Sequence, residues 1–415
     1  MPDKTNALPA VPSHSPHSPN SPNSPHSTTR SPSRRTLLRA MAASAAVGTP
    51  LLAGAPAGAV SSGAADLLYV GTWGAGQVHA LRFDPARAAM TPVGPVAQAT
   101  SNWVLAHPTR PVLYVAGGEP GGIIRVFRID NASAALEQFG EIATESTPVG
   151  GLSYMAVDAA SKTLLAADFA AGTAVSVPIG KDGGLGAVAS RVQDTGSGPH
   201  PRQQGPHAHH VVTDPSGRFA LVADFGADRV FVYHFDRATR ALSAGTPDGP
   251  RTYATAPGSG PRRLAFHPSG RTVYLLNELT ADIQALDWNA ADGVLTHLQS
   301  LPTDAPGHTG TTSAAELAIS RDGRFVYTSN RGENTLVVFS TDRSTGLLTQ
   351  VQRIPCAGVT PWSFTLHPGG RWLFVANQAS NTVNLFSVDP RTGQLADTGT
   401  SVPVPKPDCI TFSRP

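Results

Sequence analysis

The hydrophobic residues of this chain fall into short runs that recur as one repeating unit. From Asp66 onward, an apolar segment is followed by a tight turn of the form His/Asp-Pro-x-Gly-Arg, a second apolar segment ending at a small or amide residue, a polar loop and a third apolar segment. The stretches HHVVTDPSGRFALVADF and RRLAFHPSGRTVYLLNEL show this unit clearly. Short runs rich in Val, Leu, Tyr and Phe, separated by Pro and Gly turns, predict β-strands.

Seven copies of the unit can be aligned on the residue that ends the second segment. These residues are Thr72, Gly117, Asp168, Asp224, Asn277, Asn330 and Asn377. A period of about 50 residues with several short strands per unit is typical of propeller blades. We therefore predict an all-β domain over residues 66–415, folded as a seven-bladed β-propeller.

The two ends of this domain predict how the ring closes. The first unit lacks its innermost strand, and PDCITF near the C-terminus is a spare apolar segment. Pairing of the N- and C-terminal strands in one blade would remove an exposed sheet edge. We expect this pairing to close the propeller.

Composition supports a turn-rich β protein and narrows the choice of partners. The chain has 41 Gly and 37 Pro residues, and 14% of its residues are charged. Five of its 31 basic residues but one of its 29 acidic residues lie within positions 1–60, so the rest is slightly acidic. This balance does not indicate a nucleic-acid partner or a membrane surface.

Residues 1–60 are predicted to be a disordered head followed by an export signal. A Pro/Ser/His/Asn-rich stretch precedes Arg34 and Arg35, which stand before an Ala-rich, weakly apolar run and a small-residue cleavage pattern. This arrangement resembles a twin-arginine signal, with an ordinary secretory signal as the alternative. We expect an exported, periplasmic or secreted protein that meets the twin-arginine machinery and keeps no membrane anchor. Pairing of Cys356 with Cys409 is left open.

Register brings polar residues of several units to one rim. In an antiparallel blade, the start of the first strand and the end of the second lie on the same side. The charged residues predicted there are His207, His209, Arg262, Arg263, Glu278 and Arg331. Four further residues, Asn102, Glu119, Trp362 and Gln378, are predicted to join the substrate-binding wall with Arg263. The long loop 193–204 is predicted to cover this mouth, whereas His210 is expected to pack between blades.

Guanidinium groups beside a carboxylate and imidazoles suit an anionic ligand and a proton-transfer step. We expect His207 or His209 to act as general base, and Arg262 and Arg331 to hold an anionic group and share oxyanion charge. Glu278 could orient the histidine, pair with an arginine or carry the proton. Two alternatives are a metal ion on the imidazoles and an inter-blade ion pair without chemistry.

The motifs GPHAHH, GPRRLAFHPSG, YLLNEL, YTSNRG and LFVANQ resemble those of the seven-bladed propeller lactonase family, which includes bacterial 6-phosphogluconolactonases and fungal carboxymuconate-lactonizing enzymes. The resemblance covers nearly the whole mature chain. It implies that the active-site groups are His207 or His209, Glu278, Arg262 and Arg331. In one departure, Arg263 stands where the family commonly has histidine, which implies a different anionic or sugar-acid lactone.

The function expected from these features is hydrolysis of an anionic sugar-acid lactone without a metal or other cofactor. The first alternative is a muconate-type lactonizing cycloisomerase, whose dicarboxylic acid substrate would need the same arginine-rich site. The second is an exported propeller that binds a partner without catalysis, because fold alone does not establish activity.

Overall fold

Antiparallel strands form the regular secondary structure in the part of the chain that the structure describes. The computed structural model describes residues 65–145 and 151–413, and within these ranges 29 strands and no helices are found. The strands pair into seven sheets; six are built from strands that follow one another along the chain, and the seventh combines the first three strands with the last. The predicted all-β, seven-bladed propeller is confirmed. The predicted export signal lies outside the described residues.

The strands of the first four blades follow the chain order. Blade 1 contains β1 (Asp66–Thr72), β2 (Gln77–Asp84) and β3 (Ala89–Gln98). Blade 2 contains β4 (Trp103–Ala106), β5 (Val112–Ala116), β6 (Ile123–Ile129) and β7 (Leu136–Ala143). Blade 3 contains β8 (Leu152–Asp158), β9 (Thr163–Asp168), β10 (Thr173–Pro178) and β11 (Ser190–Gln193). Blade 4 contains β12 (Ala208–Thr213), β13 (Phe219–Asp224), β14 (Arg229–Asp236), β15 (Ala241–Ser243) and β16 (Arg251–Ala254).

The remaining three blades have four strands each, and the last strand of the chain joins blade 1. Blade 5 contains β17 (Pro261–Phe266), β18 (Thr272–Asn277), β19 (Asp282–Asn289) and β20 (Val294–Pro302). Blade 6 contains β21 (Ala314–Ile319), β22 (Phe325–Asn330), β23 (Thr335–Thr341) and β24 (Leu348–Pro355). Blade 7 contains β25 (Pro361–Leu366), β26 (Trp372–Asn377), β27 (Thr382–Val388) and β28 (Leu395–Pro403). The final strand is β29 (Pro407–Phe412).

Strand β29 is the inner edge of blade 1. It pairs antiparallel with β1, with Leu68 opposite Phe412 and Gly71 opposite Cys409. The first and last strands of the described chain therefore lie side by side in one sheet. This pairing leaves no unpaired inner edge on blade 1.

The hydrophobic core lies between neighbouring blades. Leu165 of blade 3 packs in one cluster with Val222 of blade 4, and Leu221 of blade 4 packs in another with Leu275 of blade 5. Each second strand is therefore covered on both faces, which explains why β13, β18 and β22 are buried along their whole length. Full burial of one such Leu side chain contributes about 1.5–3 kcal/mol.

Two further observations concern the cysteines and the membrane. Cys356 and Cys409 are both buried and both carry free thiols. No disulfide therefore links blades 6 and 7 to blade 1.

In the part of the chain that the structure describes, no helix has the length and apolar character required to cross a bilayer.

Candidate active site

A β-bulge near the start of the innermost strand brings consecutive residues into the centre of the propeller. In blade 4, Ala208 pairs with Asp224 and His210 with Ala223, so His209 occupies an extra position. In blade 5, Pro261 pairs with Asn277 and Arg263 with Leu276, so Arg262 is the extra residue. A bulge re-aims the side chain it carries. Arg262 and Arg263 can therefore line one cavity, although strict strand alternation would place them on opposite faces.

The cavity at this rim has a volume of about 630 Å³, within the range of small-molecule sites. Its polar wall is formed by Asn102, Ser153, Arg202, His207, His209, Arg262, Arg263 and Arg331. Its apolar wall is formed by Trp73, Trp103, Phe169, Ala170 and Trp362, with Gly118 and Gly151. Four arginines and three tryptophans thus surround a space suited to an anionic ligand with an extended apolar face.

Glu278 is the buried carboxylate that holds the arginines together. It follows β18 and is 1% exposed, and its Oε2 lies 2.6 Å from Nη1 of Arg262. Its Oε1 lies 2.9 Å from Nη2 of Arg331 and 2.7 Å from Nη1 of Arg202. These contacts join blades 5 and 6 to the loop between blades 3 and 4. The predicted convergence of Glu278, Arg262 and Arg331 is present in the structure.

Electrostatics fix the charge of this carboxylate. Burial alone would raise the pKa of Glu278, but the charges of Arg331, Arg262 and Arg202 outweigh burial and lower this pKa to about 2. For Arg262, burial followed by the charge of Arg331 lowers the guanidinium pKa to about 9, although Glu278 opposes this shift. Glu278 is therefore ionised at neutral pH and is a poor proton carrier there.

His209 lies between two guanidinium groups. Its Nε2 contacts Nη1 of Arg262, and its Nδ1 lies 3.3 Å from Nη1 of Arg263. Burial, followed by the charges of Arg262 and Arg263, lowers the pKa of His209 well below its usual value of 6.5. Because both ring nitrogens face N–H donors of cations, this imidazole is held neutral.

His207 has a different environment at the edge of the same cavity. Its Nδ1 lies 2.7 Å from the carbonyl oxygen of Phe169, which can only accept, so Nδ1 must carry the proton in the neutral ring. Its ring stacks on that of Phe169 with centroids 4.4 Å apart, and its backbone N–H donates to Oδ1 of Asp224 over 2.8 Å. Among the residues described, Nε2 has no hydrogen-bond partner, and the residue lines the cavity, so the lone pair of Nε2 remains for a ligand or water.

Arg263 is bound chiefly to protein groups. Its Nε donates to Oε1 of Glu316 over 2.9 Å, and its guanidinium lies 4.8 Å from the ring centres of both Trp103 and Tyr154. His210 packs against Tyr154 with centroids 3.9 Å apart, so it lies between blades 3 and 4 as predicted. Arg263 lines the cavity but is 3% exposed, and its nitrogens contact Glu316 and His209, so we expect it to support His209 more than to bind a ligand directly.

Of three further residues predicted to form the substrate-binding wall, one lines the cavity and two do not. Asn102 lines the cavity and donates from Nδ2 to the carbonyl of Leu152 over 3.2 Å, which joins blades 2 and 3. Glu119 does not line the cavity, because its carboxylate pairs at 2.8 Å with Nη1 of Arg125 on its own blade. Gln378 instead lines a neighbouring groove that shares Trp362 with the cavity.

Sequence reasoning missed several residues of the site. Glu316 and Trp103 occupy the blade 6 and blade 2 positions that match Arg263, so a stricter alignment of the units could have found both. Arg202 lies in the loop that was predicted to cover the mouth, but nothing in the repeat fixes its direction. Trp73 follows the second strand of the first unit, at a position equivalent to Glu278 and Arg331.

Among the residues described, one group of side chains has ligand atoms close enough for a metal ion. Asp304, His308 and Glu333 place these atoms within 4.8 Å of one another. Glu333 is already bound by Nη1 of Arg353 at 2.7 Å and by the backbone N–H of Ala305 at 2.8 Å. His207 and His209 do not form such a group, since guanidinium N–H groups face both ring nitrogens of His209.

Fold and site together define a propeller with an arginine-rich, aromatic-walled cavity at one rim. The profile described as "Lactonase, 7-bladed beta-propeller" matches residues 67–412. The chain therefore belongs to the seven-bladed β-propeller lactonase family.

Individual relatives agree with this membership. A 6-phosphogluconolactonase of Bacillus subtilis (strain 168) is 27% identical over 350 residues, which cover 83% of this chain and 97% of that protein. A 6-phosphogluconolactonase of Serratia proteamaculans (strain 568) is 30% identical over 247 residues, covering 59% of this chain and 68% of the relative. The solved structure of a Pseudomonas aeruginosa periplasmic gluconolactonase superposes with a TM-score of 0.77 at 31% identity, covering 84% of this chain and 99% of that one.

Proposed function

We propose that this protein hydrolyses a sugar-acid lactone without a metal ion, and that His207 is the general base. The observation that carries this proposal is the bond from Nδ1 of His207 to the carbonyl of Phe169, which leaves Nε2 as a proton acceptor at the cavity. The related 6-phosphogluconolactonases and the periplasmic gluconolactonase support the reaction class.

The reaction assigns one role to each group. Nε2 of His207 takes a proton from a water molecule as the water oxygen attacks the lactone carbonyl carbon. The carbonyl oxygen gains negative charge, which the guanidinium groups of Arg262 and Arg331 stabilise. The bond between that carbon and the ring oxygen then breaks, and the alkoxide takes the proton back from His207. The product is a hydroxy acid, and the enzyme returns to its starting state.

His207 suits this role better than His209. A general base must accept a proton, whereas the two arginines beside His209 oppose any positive charge on that ring. His209 instead fixes the guanidinium of Arg262 in place through Nε2. We therefore assign His209 to positioning and His207 to proton transfer.

The arginines have donor capacity left for a ligand. Glu278 carries one negative charge but contacts Arg202, Arg262 and Arg331, so the group as a whole is positive. Nε of Arg331 is buried and has no partner within the described ranges. A carboxylate or phosphate of the substrate, and the developing oxyanion, would complete this arrangement. Glu278 thus serves to hold the arginines.

The expected export narrows the substrate class. If the twin-arginine signal acts as the sequence indicates, the protein meets its substrate outside the cytoplasm, where phosphorylated sugars are scarce. We therefore favour a lactone of an unphosphorylated sugar acid.

Replacement of Arg34 and Arg35 by lysine preserves the charge, and it should keep the full-length precursor in the cytoplasmic fraction. Unchanged export of this variant would contradict the twin-arginine assignment.

The function is tested by acid release from a panel of lactones. Neutral, carboxylated and phosphorylated sugar lactones are compared with a muconate-type dicarboxylic acid, using the wild type and His207→Ala after thorough chelation. We expect hydrolysis of at least one sugar lactone, insensitive to chelation, with the rate reduced about 10²–10⁴-fold in the variant. No hydrolysis above buffer would contradict the enzyme proposal, and loss on chelation would contradict metal independence.

A further inference from the structure

A groove next to the cavity holds groups that the proposed reaction does not use. It has a volume of about 410 Å³ and is lined by Trp73, Trp362, Gln378, Ala379, Asn381 and Lys406. We propose that this groove is a second subsite, and that it binds a further sugar ring attached to the lactone. This inference rests on the proposed function and specifies its substrate as a lactone of a disaccharide acid.

The groove is continuous with the cavity because both are lined by the same pair of indoles. Trp73 and Trp362 meet edge to face with ring centroids 4.5 Å apart. The guanidinium carbon of Arg331 lies 4.5 Å from the ring centre of Trp362. A ligand that reaches Arg331 in the cavity therefore needs to extend past one indole to enter the groove.

Trp73 is exposed in a way that folding does not explain. It is 46% exposed, and the other large hydrophobic side chains of comparable exposure in the described ranges are aliphatic. Val359 does not line the groove, but it is 47% exposed and adjoins it, because its carbonyl accepts from the N–H of the lining residue Ala379 over 3.1 Å. Apolar groups left in water beside a pocket are typical of ligand contact.

The polar groups of the groove point to a hydroxylated occupant. The side-chain amide of Gln378 and the ammonium of Lys406 have no partner among residues 65–145 and 151–413, and no acidic residue lines the groove. Sugar rings present an apolar C–H face that packs on an indole and a rim of hydroxyls that bond to amides and ammonium groups. A cationic ligand would be repelled by the ammonium of Lys406. A purely apolar ligand would leave the side-chain amide of Gln378 without a hydrogen bond.

The experiment compares D-glucono-1,5-lactone with cellobiono-1,5-lactone, which adds one glucose ring. For the wild type, we expect kcat/KM to be about five- to tenfold higher for the disaccharide lactone, mainly through KM. Trp73→Ala should bring this ratio to about one, and Gln378→Ala, outside the cavity, should lower it about twofold. Leu298→Ala, which removes a 42% exposed side chain from β20, is the matched control and should keep the wild-type ratio.

Failure of the subsite and failure of the reaction give different results. A wild-type ratio near one, or an unchanged ratio in Trp73→Ala, overturns the second subsite while leaving lactone hydrolysis intact. If neither lactone is opened, tryptophan fluorescence is titrated with cellobionic and gluconic acids. Tighter binding of the longer acid that is lost in Trp73→Ala then supports the subsite, and equal affinity overturns it.

Discussion

The two halves of the cavity wall use the same backbone feature for different chemistry. In blades 4 and 5 the bulged residues are His209 and Arg262, which join a charged cluster around Glu278. In blades 3 and 7 the bulges carry Ser153 and Trp362, and the wall there is neutral and aromatic. In these four blades the repeat therefore supplies an equivalent bulged position, and the side chain placed there decides what the position does.

The difference also appears in the environment of the ionisable groups. In the charged half, the pKa values of His209, Arg262 and Glu278 are all lowered. Burial is the main cause for His209 and Arg262, and neighbouring arginine charges add to it, whereas for Glu278 the arginine charges outweigh the opposite effect of burial. The aromatic half packs against this cluster at Trp362, below Arg331. Perturbed groups concentrated in one half of a cavity mark the half where chemistry is expected.

The largest expected effect comes from removing the charge that holds the charged half together. Glu278→Gln keeps the size of the side chain but leaves Arg262 and Arg331 buried without a counter-ion. We expect a loss of about 3–5 kcal/mol in the free energy of unfolding, together with loss of lactone hydrolysis. Urea unfolding and an acid-release assay measure the two effects. The matched variant Glu119→Gln breaks a pair whose side chains are 20% and 29% exposed, and it should cost no more than about 1 kcal/mol. Equal losses of stability in the two variants would contradict the special role of Glu278.

Arg202 lies where the charged half of the cavity opens to solvent, and its replacement tests whether this opening selects charged substrates. Its side chain is 52% exposed while its Nη1 contacts Glu278, so it can bind the outer anionic group of a substrate. Arg202→Gln should raise KM about tenfold for carboxylated or phosphorylated lactones relative to a neutral lactone. Arg87→Gln, at an exposed pair with Asp84, is the control. An equal change for charged and neutral lactones would show that Arg202 does not select for charge.

A smaller effect on stability follows from the buried imidazoles. Burial lowers the pKa of His209 and His210 well below 6.5 in the folded protein, whereas the unfolded chain takes up a proton on each below about pH 6.5. The free energy of unfolding should therefore decrease as the pH is lowered below about 6.5, by about 1.4 kcal/mol per pH unit for each ring.

His210→Phe preserves packing on Tyr154 and should make this decrease shallower by about 1.4 kcal/mol per unit between pH 6 and 5. Urea unfolding at several pH values measures the slope. His297→Gln, on the outer strand β20, controls for loss of an exposed imidazole. A slope that stays at the wild-type value in His210→Phe would show that this ring is already protonated in the folded state.

The sequence predicted most of the fold because the repeat carries strong local signals. Six of the seven second strands end at the residue that the aligned units indicated, and β5 ends at Ala116, one residue before Gly117. The Pro-Gly turns and apolar runs determine these limits locally. Register alone then placed His207, His209, Glu278, Arg262 and Arg331 at one rim.

The remaining features of the site depend on geometry that simple alternation does not describe. A bulge is not visible as a composition signal, so the shared orientation of Arg262 and Arg263 could not be read from period-two alternation. The direction of Arg202 depends on how a long loop crosses the rim. Glu119 was predicted to line the cavity, but in the structure its carboxylate pairs with Arg125. The sequence does not show which way this side chain turns, because that depends on the folded positions of nearby charges.

The central claim is that His207, rather than His209, transfers the proton, and chemical rescue tests it most directly. His207→Ala and His209→Ala are assayed with the best lactone of the panel, with and without added imidazole. The account predicts that imidazole restores part of the lost rate in His207→Ala, where Nε2 faced the accessible cavity, and none in His209→Ala, where the arginines fill the surroundings. Full activity of His207→Ala, or rescue confined to His209→Ala, would contradict it.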